Sequence, residues 1–166
     1  MKLYLLRHGI AERRTLVAGR ADVDRPLSSD GADKMKRVAL RLRKRGVSVD
    51  CILTSPLRRA QQSARIVARA LRFKSDLVIT PHLEPGGSLE ALIQQLNSEF
   101  VKKRRILLVG HEPSLSSLIS VLISGRTEAS MVMKKGGLCR ISVDTIRFGK
   151  CGTLEWLLPP SQVLAK

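Results

Sequence analysis

Three apolar runs in this chain stop abruptly at polar turns, and each turn opens onto a helix-like pattern. The runs are residues 2–6 before Arg7-His8-Gly9, 49–53 before Thr54-Ser55-Pro56, and 105–109 before Gly110-His111-Glu112-Pro113. A short, continuously apolar run bounded by turn residues suits a strand buried on both faces. Parallel strands need long crossover connections, usually helices, so a repeated strand–turn–helix order predicts an α/β layer structure with a mostly parallel sheet.

The intervening segments supply the helices. Ser28 or Ser29 caps a helix over about residues 30–45 whose Ala32, Met35, Val38, Ala39 and Leu42 share one face. Ser55-Pro56 is a helix start, with Ser as cap and Pro in the first turn, followed by Ala60, Ala64, Val67 and Leu71 at helical spacing. Residues 77–80 read as a short strand, 81–87 as a loop, and Ser88 opens a helix burying Leu89, Leu92, Ile93 and Leu96. Pro113 starts another helix, carrying Leu115, Leu118, Ile119 and Leu122. Residues 9–27, with Gly9, Gly19 and Pro26, show no period and read as a loop. Near the end, Cys139, Ile141 and Val143, then Leu154, Trp156 and Leu158, alternate with polar residues, which predicts an antiparallel pair. No linker or repeat divides the 166 residues, so one domain over 1–166 is expected.

Composition narrows the class. Three Phe, one Tyr and one Trp leave a mainly aliphatic core. No apolar run reaches bilayer length, and the first one is cut short at Arg7, too early for a signal peptide, so a cytoplasmic location is expected. Cys51, Cys139 and Cys151 are odd in number and lack Cys-x-x-Cys spacing, which reads as reduced thiols. The net charge of +16 favours anionic partners. Its clusters are Arg13-Arg14, residues 34–45, Arg58-Arg59 and 102–105, and much of the second decorates the polar side of a helix. No aromatic run or finger spacing accompanies them, which disfavours a nucleic-acid module.

In open α/β sheets ligands bind beyond the carboxyl ends of the strands. All three polar turns lie at such ends, so they can converge although about fifty residues separate them along the chain. Together they would bring His8, His111 and two or three of Arg7, Arg58 and Arg59 around one pocket, next to helix N-termini at Pro56 and Pro113. Arg forks match phosphate oxygens, a neutral imidazole can attack phosphorus, and Gly9 would let the backbone approach the ligand.

With LYLLRHGIAE, DRPLSSDG, LTSPLRRAQQSA, LVGHEPSLSSLI and GTLEWLLP in this order, the chain resembles the histidine phosphatase superfamily, and within it the SixA-like phosphohistidine phosphatases. The resemblance implies a single-domain three-layer sandwich of the phosphoglycerate mutase-like fold. It also implies roles: His8 as the nucleophile that becomes phosphorylated, Arg7 and Arg59 as phosphate-binding residues, and His111 as a second phosphate-binding and transition-state-stabilising residue. Arg58 falls at the motif's variable position. No metal or cofactor is implied, because arginine and histidine can neutralise the transferring oxygens.

The proton donor is open. Glu84, after the second motif, is the candidate general acid, and a solvated loop carboxylate is the competing reading. Glu90 is a weaker option on a helix, His82 reads as a surface residue, and Glu112 reads as a helix cap. The expected activity is a metal-independent phosphatase acting on phosphohistidine in a protein partner. A small-molecule ester phosphatase is the alternative, and a basic nucleic-acid module the third reading. A mutase is disfavoured, since the chain leaves little room for capping insertions.

Overall fold

In the computed structural model, residues 1–13 and 22–165 are described. Residues 14–21, which include Arg14, Gly19 and part of the expected 9–27 loop, lie outside them. The elements run β1 (Lys2–Arg7), α1 (Ser29–Lys44), β2 (Cys51–Thr54), α2 (Arg58–Leu71), β3 (Val78–Ile79) and α3 (Leu89–Glu99). Then come β4 (Arg105–Gly110), α4 (Ser114–Ser124), β5 (Leu138–Val143), β6 (Gly152–Leu158) and α5 (Pro160–Leu164). The strands form one sheet in the order β3-β2-β4-β1-β5-β6. The first four are mutually parallel, and β5 and β6 are antiparallel to their neighbours. This is the expected α/β sandwich with an antiparallel C-terminal pair.

Alternation along the strands divides the core into two layers. Leu3, Leu5, Leu53, Ile106 and Leu108 face one way and pack with Leu92 and Leu96 of α3 and Leu118 and Leu122 of α4. Tyr4, Leu6, Ile52, Leu107 and Val109 face the other way, against Met35 and Val38 of α1, Ala60, Ala64 and Val67 of α2, and Val163 of α5. Burying each such Leu or Val contributes about 1.5–3 kcal/mol. That burial holds the strand register, and the register positions the site.

Four details differ from expectation. α2 begins at Arg58 rather than at Ser55-Pro56, because the Ser55 hydroxyl accepts the Leu57 N–H at 3.2 Å and closes a separate turn first. The 81–87 loop contains a 3₁₀ turn, Pro81–Leu83, capped by Thr80. The alternation expected in β6 breaks at a bulge: Arg140 pairs Trp156 while Ile141 pairs Leu154, which leaves Leu154 38% exposed. Gly9 serves packing against α1. A Cβ there would meet Gly31 O and a Leu27 methyl, each at 3.2 Å. Gly31 is tighter still, since its Cβ would stand 2.0 Å from Ile10 O. The glycine of DRPLSSDG therefore lets α1 start against the chain leaving β1.

Candidate active site

Register brings the three polar turns together. Arg7 pairs with Gly110 across β1 and β4, so His8 and His111 are the next residues along two adjacent parallel strands. The His8 N–H donates to Gly110 O at 3.2 Å, extending the ladder into the site. On the other side Thr54 pairs with Val109, and the Ser55 N–H donates to Val109 O at 3.0 Å. The ends of β2, β4 and β1 therefore stand in a row. Arg7, His8, Arg59 and His111 line one pocket of about 250 Å³ beyond them.

The two imidazoles are side by side, with ring centroids 4.8 Å apart. His8 is 6% exposed and His111 3%. His8 Nδ1 lies 2.6 Å from Gly9 O. A carbonyl only accepts, so Nδ1 carries the hydrogen and Nε2 keeps its lone pair. Burial, with the Arg59, Arg7 and Lys135 charges, lowers the His8 pKa from 6.5 to about 4, against a smaller opposing contribution from Gly9 O. Burial first, then His8 and Arg59, lowers His111 from 6.5 to about 3. Both rings are neutral at physiological pH. A neutral His8 with a free Nε2 lone pair has the chemistry to attack an electrophile, and neutral His111 can donate one N–H to an anionic oxygen. His111 Nε2 is 2.9 Å from Ser55 Oγ, which orients that ring.

The arginines are held from behind. Arg7 donates from a terminal nitrogen to Met133 O at 2.7 Å. Arg59, 4% exposed in the first turn of α2, donates to Asp22 O at 2.8 Å and pairs with the Asp22 carboxylate at 3.0 Å. Asp22 also pairs with Arg25 at 2.9 Å. Ser63 joins the two halves: its hydroxyl donates to Arg59 O at 2.8 Å and accepts the Gly9 N–H at 3.1 Å. Arg58, by contrast, is exposed and does not line the pocket.

Glu84 is half-buried and does not line the pocket, although its neighbour Pro85 does. Its backbone carbonyl accepts from the Ser114 hydroxyl at 3.4 Å, which ties this loop to the start of α4. Glu90 is exposed, with its carboxylate 3.1 Å from the Ser88 hydroxyl, and His82 is half-buried in the Pro81–Leu83 turn. The carboxylate lining the pocket is Glu112; rather than capping a backbone N–H, it accepts the Ser116 hydroxyl at 2.5 Å. Arg25 and Lys135 line the pocket as well and were not anticipated. Lys135 arrives through a turn whose Gly136 N–H donates to Arg7 O and His8 O, both at 3.0 Å. Repeated basic residues before Gly136-Gly137 are the only sequence signal for it. Among the described residues no three His, Cys, Asp or Glu side chains cluster as a metal site would require, and no helix is long and apolar enough to cross a membrane. All three cysteines are free thiols, and burial raises Cys139 to about 12.

A fold with paired histidines and arginines at the ends of parallel strands defines a phosphoryl-transfer class, and the comparisons place the chain within it. The profile of the histidine phosphatase superfamily (branch 1) matches residues 3–85. An uncharacterized protein of Picosynechococcus is 39% identical over 145 residues, covering 83% of this chain and 82% of its own length. Phosphohistidine phosphatase SixA of Escherichia coli is 27% identical over 163 residues, covering 96% and 94%. The solved structure of the protein histidine phosphatase SixA with tungstate superposes with a TM-score of 0.84 at 25% identity, covering 98% of this chain and 99% of that one. A putative alpha-ribazole-5'-P phosphatase of Escherichia coli superposes with a TM-score of 0.76 at 25% identity, covering 96% and 97%. The chain belongs to the histidine phosphatase superfamily.

Proposed function

We propose that this protein removes the phosphoryl group from phosphohistidine on a protein through a phosphohistidine intermediate of its own. The observation that carries this reading is the buried His8–His111 pair, both neutral, with His8 Nδ1–H anchored on Gly9 O in a pocket also lined by Arg7 and Arg59. His8 Nε2 forms a bond to phosphorus as the bond to the leaving imidazole nitrogen breaks. That nitrogen takes the electron pair. Arg7, Arg59 and an N–H of His111 bind the three equatorial oxygens, where charge spreads during transfer. Water then attacks phosphorus, the P–Nε2 bond breaks, and orthophosphate leaves. The arginines supply positive charge without a metal. The resemblance to SixA supports a phosphohistidine substrate, and the +16 charge suits an acidic protein surface around it.

Hydrolysis of small phosphate esters is the second reading, favoured by the similarity to the putative alpha-ribazole-5'-P phosphatase and by Glu112 in the pocket. A rapid quench with radiolabelled substrate in EDTA tests the shared chemistry. The expected label is acid-labile, alkali-stable and on His8. Label on Ser or Asp, or a requirement for added magnesium or zinc, would overturn it. Competition between a phosphohistidine protein and a panel of phosphate esters then decides the substrate class.

A further inference from the structure

The helix that delivers Arg59 to the pocket carries more positive charge than the fold uses. α2 holds four arginines and no Asp or Glu over Arg58–Leu71, and Arg72 caps its end. Arg59 is buried at the pocket, whereas Arg58, Arg65, Arg69 and Arg72 are exposed. With about 3.6 residues per turn, Arg58, Arg65 and Arg69 lie within about 40° of one another around the helix. Arg72 continues their line. At about 1.5 Å per residue the row is about 20 Å long. It begins beside Arg59 and leads away from the pocket.

Helix stability does not account for this row. Arg65 and Arg69 stand at i, i+4, and Arg69 and Arg72 at i, i+3, where like charges destabilise a helix. Arg58 sits at the positive end of the helix dipole. Among the described residues no carboxylate pairs with any of the four, whereas Arg25, Arg59, Arg105 and Arg140 each have one. Arg65 donates to Gln61 on its own helix at 2.8 Å. Beside the row runs an open groove of about 480 Å³, lined by Arg65, Arg69, Phe73, Leu77 and Ile79, with Asp76 as its one carboxylate. Ile79, on the edge strand β3, is 52% exposed. Unpaired cations flanking an apolar groove complement a helix with acidic and apolar faces.

We propose that the exposed arginine row of α2, with the groove along it, is the docking surface for the phosphoprotein substrate, and that it takes an acidic amphipathic helix adjoining the phosphohistidine. This rests on the phosphohistidine-protein reading above. Carboxylates at i, i+4 and i+7 of such a helix repeat the spacing of Arg65, Arg69 and Arg72. Its apolar side covers Phe73 and Ile79. Because α2 holds both Arg59 and the row, a partner docked there is held at a fixed distance from the pocket. The row touches no reacting atom, so its effect falls on kcat/KM for the protein substrate. A nucleic-acid strand fits less well, since Phe73 is the one aromatic in the groove and is half-buried, which leaves no stacking platform.

Two peptides test this, each carrying one phosphohistidine beside the same helix, with Glu or with Gln at i, i+4 and i+7. 4-Nitrophenyl phosphate is the third substrate. Wild type should prefer the Glu peptide about ten- to a hundredfold in kcat/KM at low salt, within the range of electrostatic steering. The preference should fade toward 1 M salt, where the Debye length is about 3 Å. Arg65→Glu/Arg69→Glu should abolish it, leave 4-nitrophenyl phosphate hydrolysis unchanged, and favour a peptide with Lys at the three positions. Arg65→Gln/Arg69→Gln should also abolish it, and serves if the reversed variant does not fold. Lys102→Glu/Lys103→Glu makes the same charge change before β4, at the opposite end of the strands, and should keep most of the preference. Equal wild-type rates on the two peptides, or equal losses in the α2 and Lys102/Lys103 variants, would overturn the docking surface. So would Arg65- and Arg69-dependent retention of a short single-stranded RNA that the Glu peptide does not displace. Hydrolysis of neither peptide would instead remove the reading beneath it.

Discussion

The pocket has two halves built in different ways. Arg7, His8 and His111 stand at or just past the ends of β1 and β4, where ladder hydrogen bonds and a fully buried apolar layer hold the backbone. Arg25, Pro85 and Lys135 come from connections, and Lys135 is exposed. Arg59, at the start of α2, is buried like His8 and His111 but depends on Asp22, which like Arg25 comes from the connection before α1. Rigid strand ends suit groups that must meet phosphorus in line, because small misplacements there are costly to rate. Charged loops suit groups that only attract and hold an anion. The difference predicts which residues carry turnover and which carry affinity.

The sharpest way to break this division is to remove His8, the proposed nucleophile at the strand end. His8→Ala should lower kcat by roughly 10⁴–10⁶-fold, the scale seen when a covalent group is deleted. Its thermal unfolding should remain cooperative, because the apolar layers above and below the strand are untouched. Near-normal turnover in a folded His8→Ala protein would show that the strand end does not do the chemistry.

Next in size are Arg59 and His111. Each should cost on the order of 10²–10³ in kcat when changed to Ala, as for loss of a preorganised transition-state contact. Arg58→Ala should change kcat little, since that side chain is exposed beside the buried Arg59. A larger loss for Arg58 than for Arg59 would contradict the placement of α2 against the pocket.

The buried histidines also have a pH signature. Each has its pKa lowered, from 6.5 to about 4 for His8 and about 3 for His111, chiefly by burial. Between pH 6.5 and those values the unfolded chain binds protons at these rings and the folded chain does not. Stability from this source is thus complete above pH 6.5 and is lost as pH falls through the lowered values. Nitrogen NMR of the free enzyme should show both rings neutral down to about pH 4. A ring charging near 6.5 would place that histidine in water and undo the rigid half of the comparison.

The same division governs what the sequence disclosed. Arg7, His8 and His111 were readable because an apolar run ending in a polar turn is a local pattern, and parallel strands end on one side of a sheet. Arg59 was readable from its motif. Asp22, Arg25 and Lys135 were not, because their positions depend on contacts between distant segments. Arg59 and Asp22 are 37 residues apart, and Lys135 reaches the pocket only because Gly136 bonds back to Arg7 O and His8 O. Glu112 was visible in the motif, but its place in the pocket depends on how the chain turns from β4 into α4. Leu154 failed for a similar reason: a bulge shifts strand phase without altering the alternating residue pattern. α5 has five residues, too few for a helical period to emerge.

The smallest expected effect falls on the loop half, at Lys135. Its charge helps depress the His8 pKa, and it lines the pocket, yet it is exposed to solvent. Exposed ion pairs contribute about 0.2–1 kcal/mol, so Lys135→Ala should raise KM by no more than about fivefold. The chemical step does not need a flexible, hydrated ammonium at a fixed point, so kcat should be nearly preserved. Screening adds a second test. The Debye length shrinks from about 10 Å at 0.1 M salt to about 3 Å at 1 M, so the gap between wild type and variant should narrow as salt rises. A kcat loss comparable to that of Arg59→Ala, insensitive to salt, would mean that Lys135 closes onto the phosphoryl group during transfer. The loop half would then share the chemistry with the strand ends rather than merely gather the substrate for them.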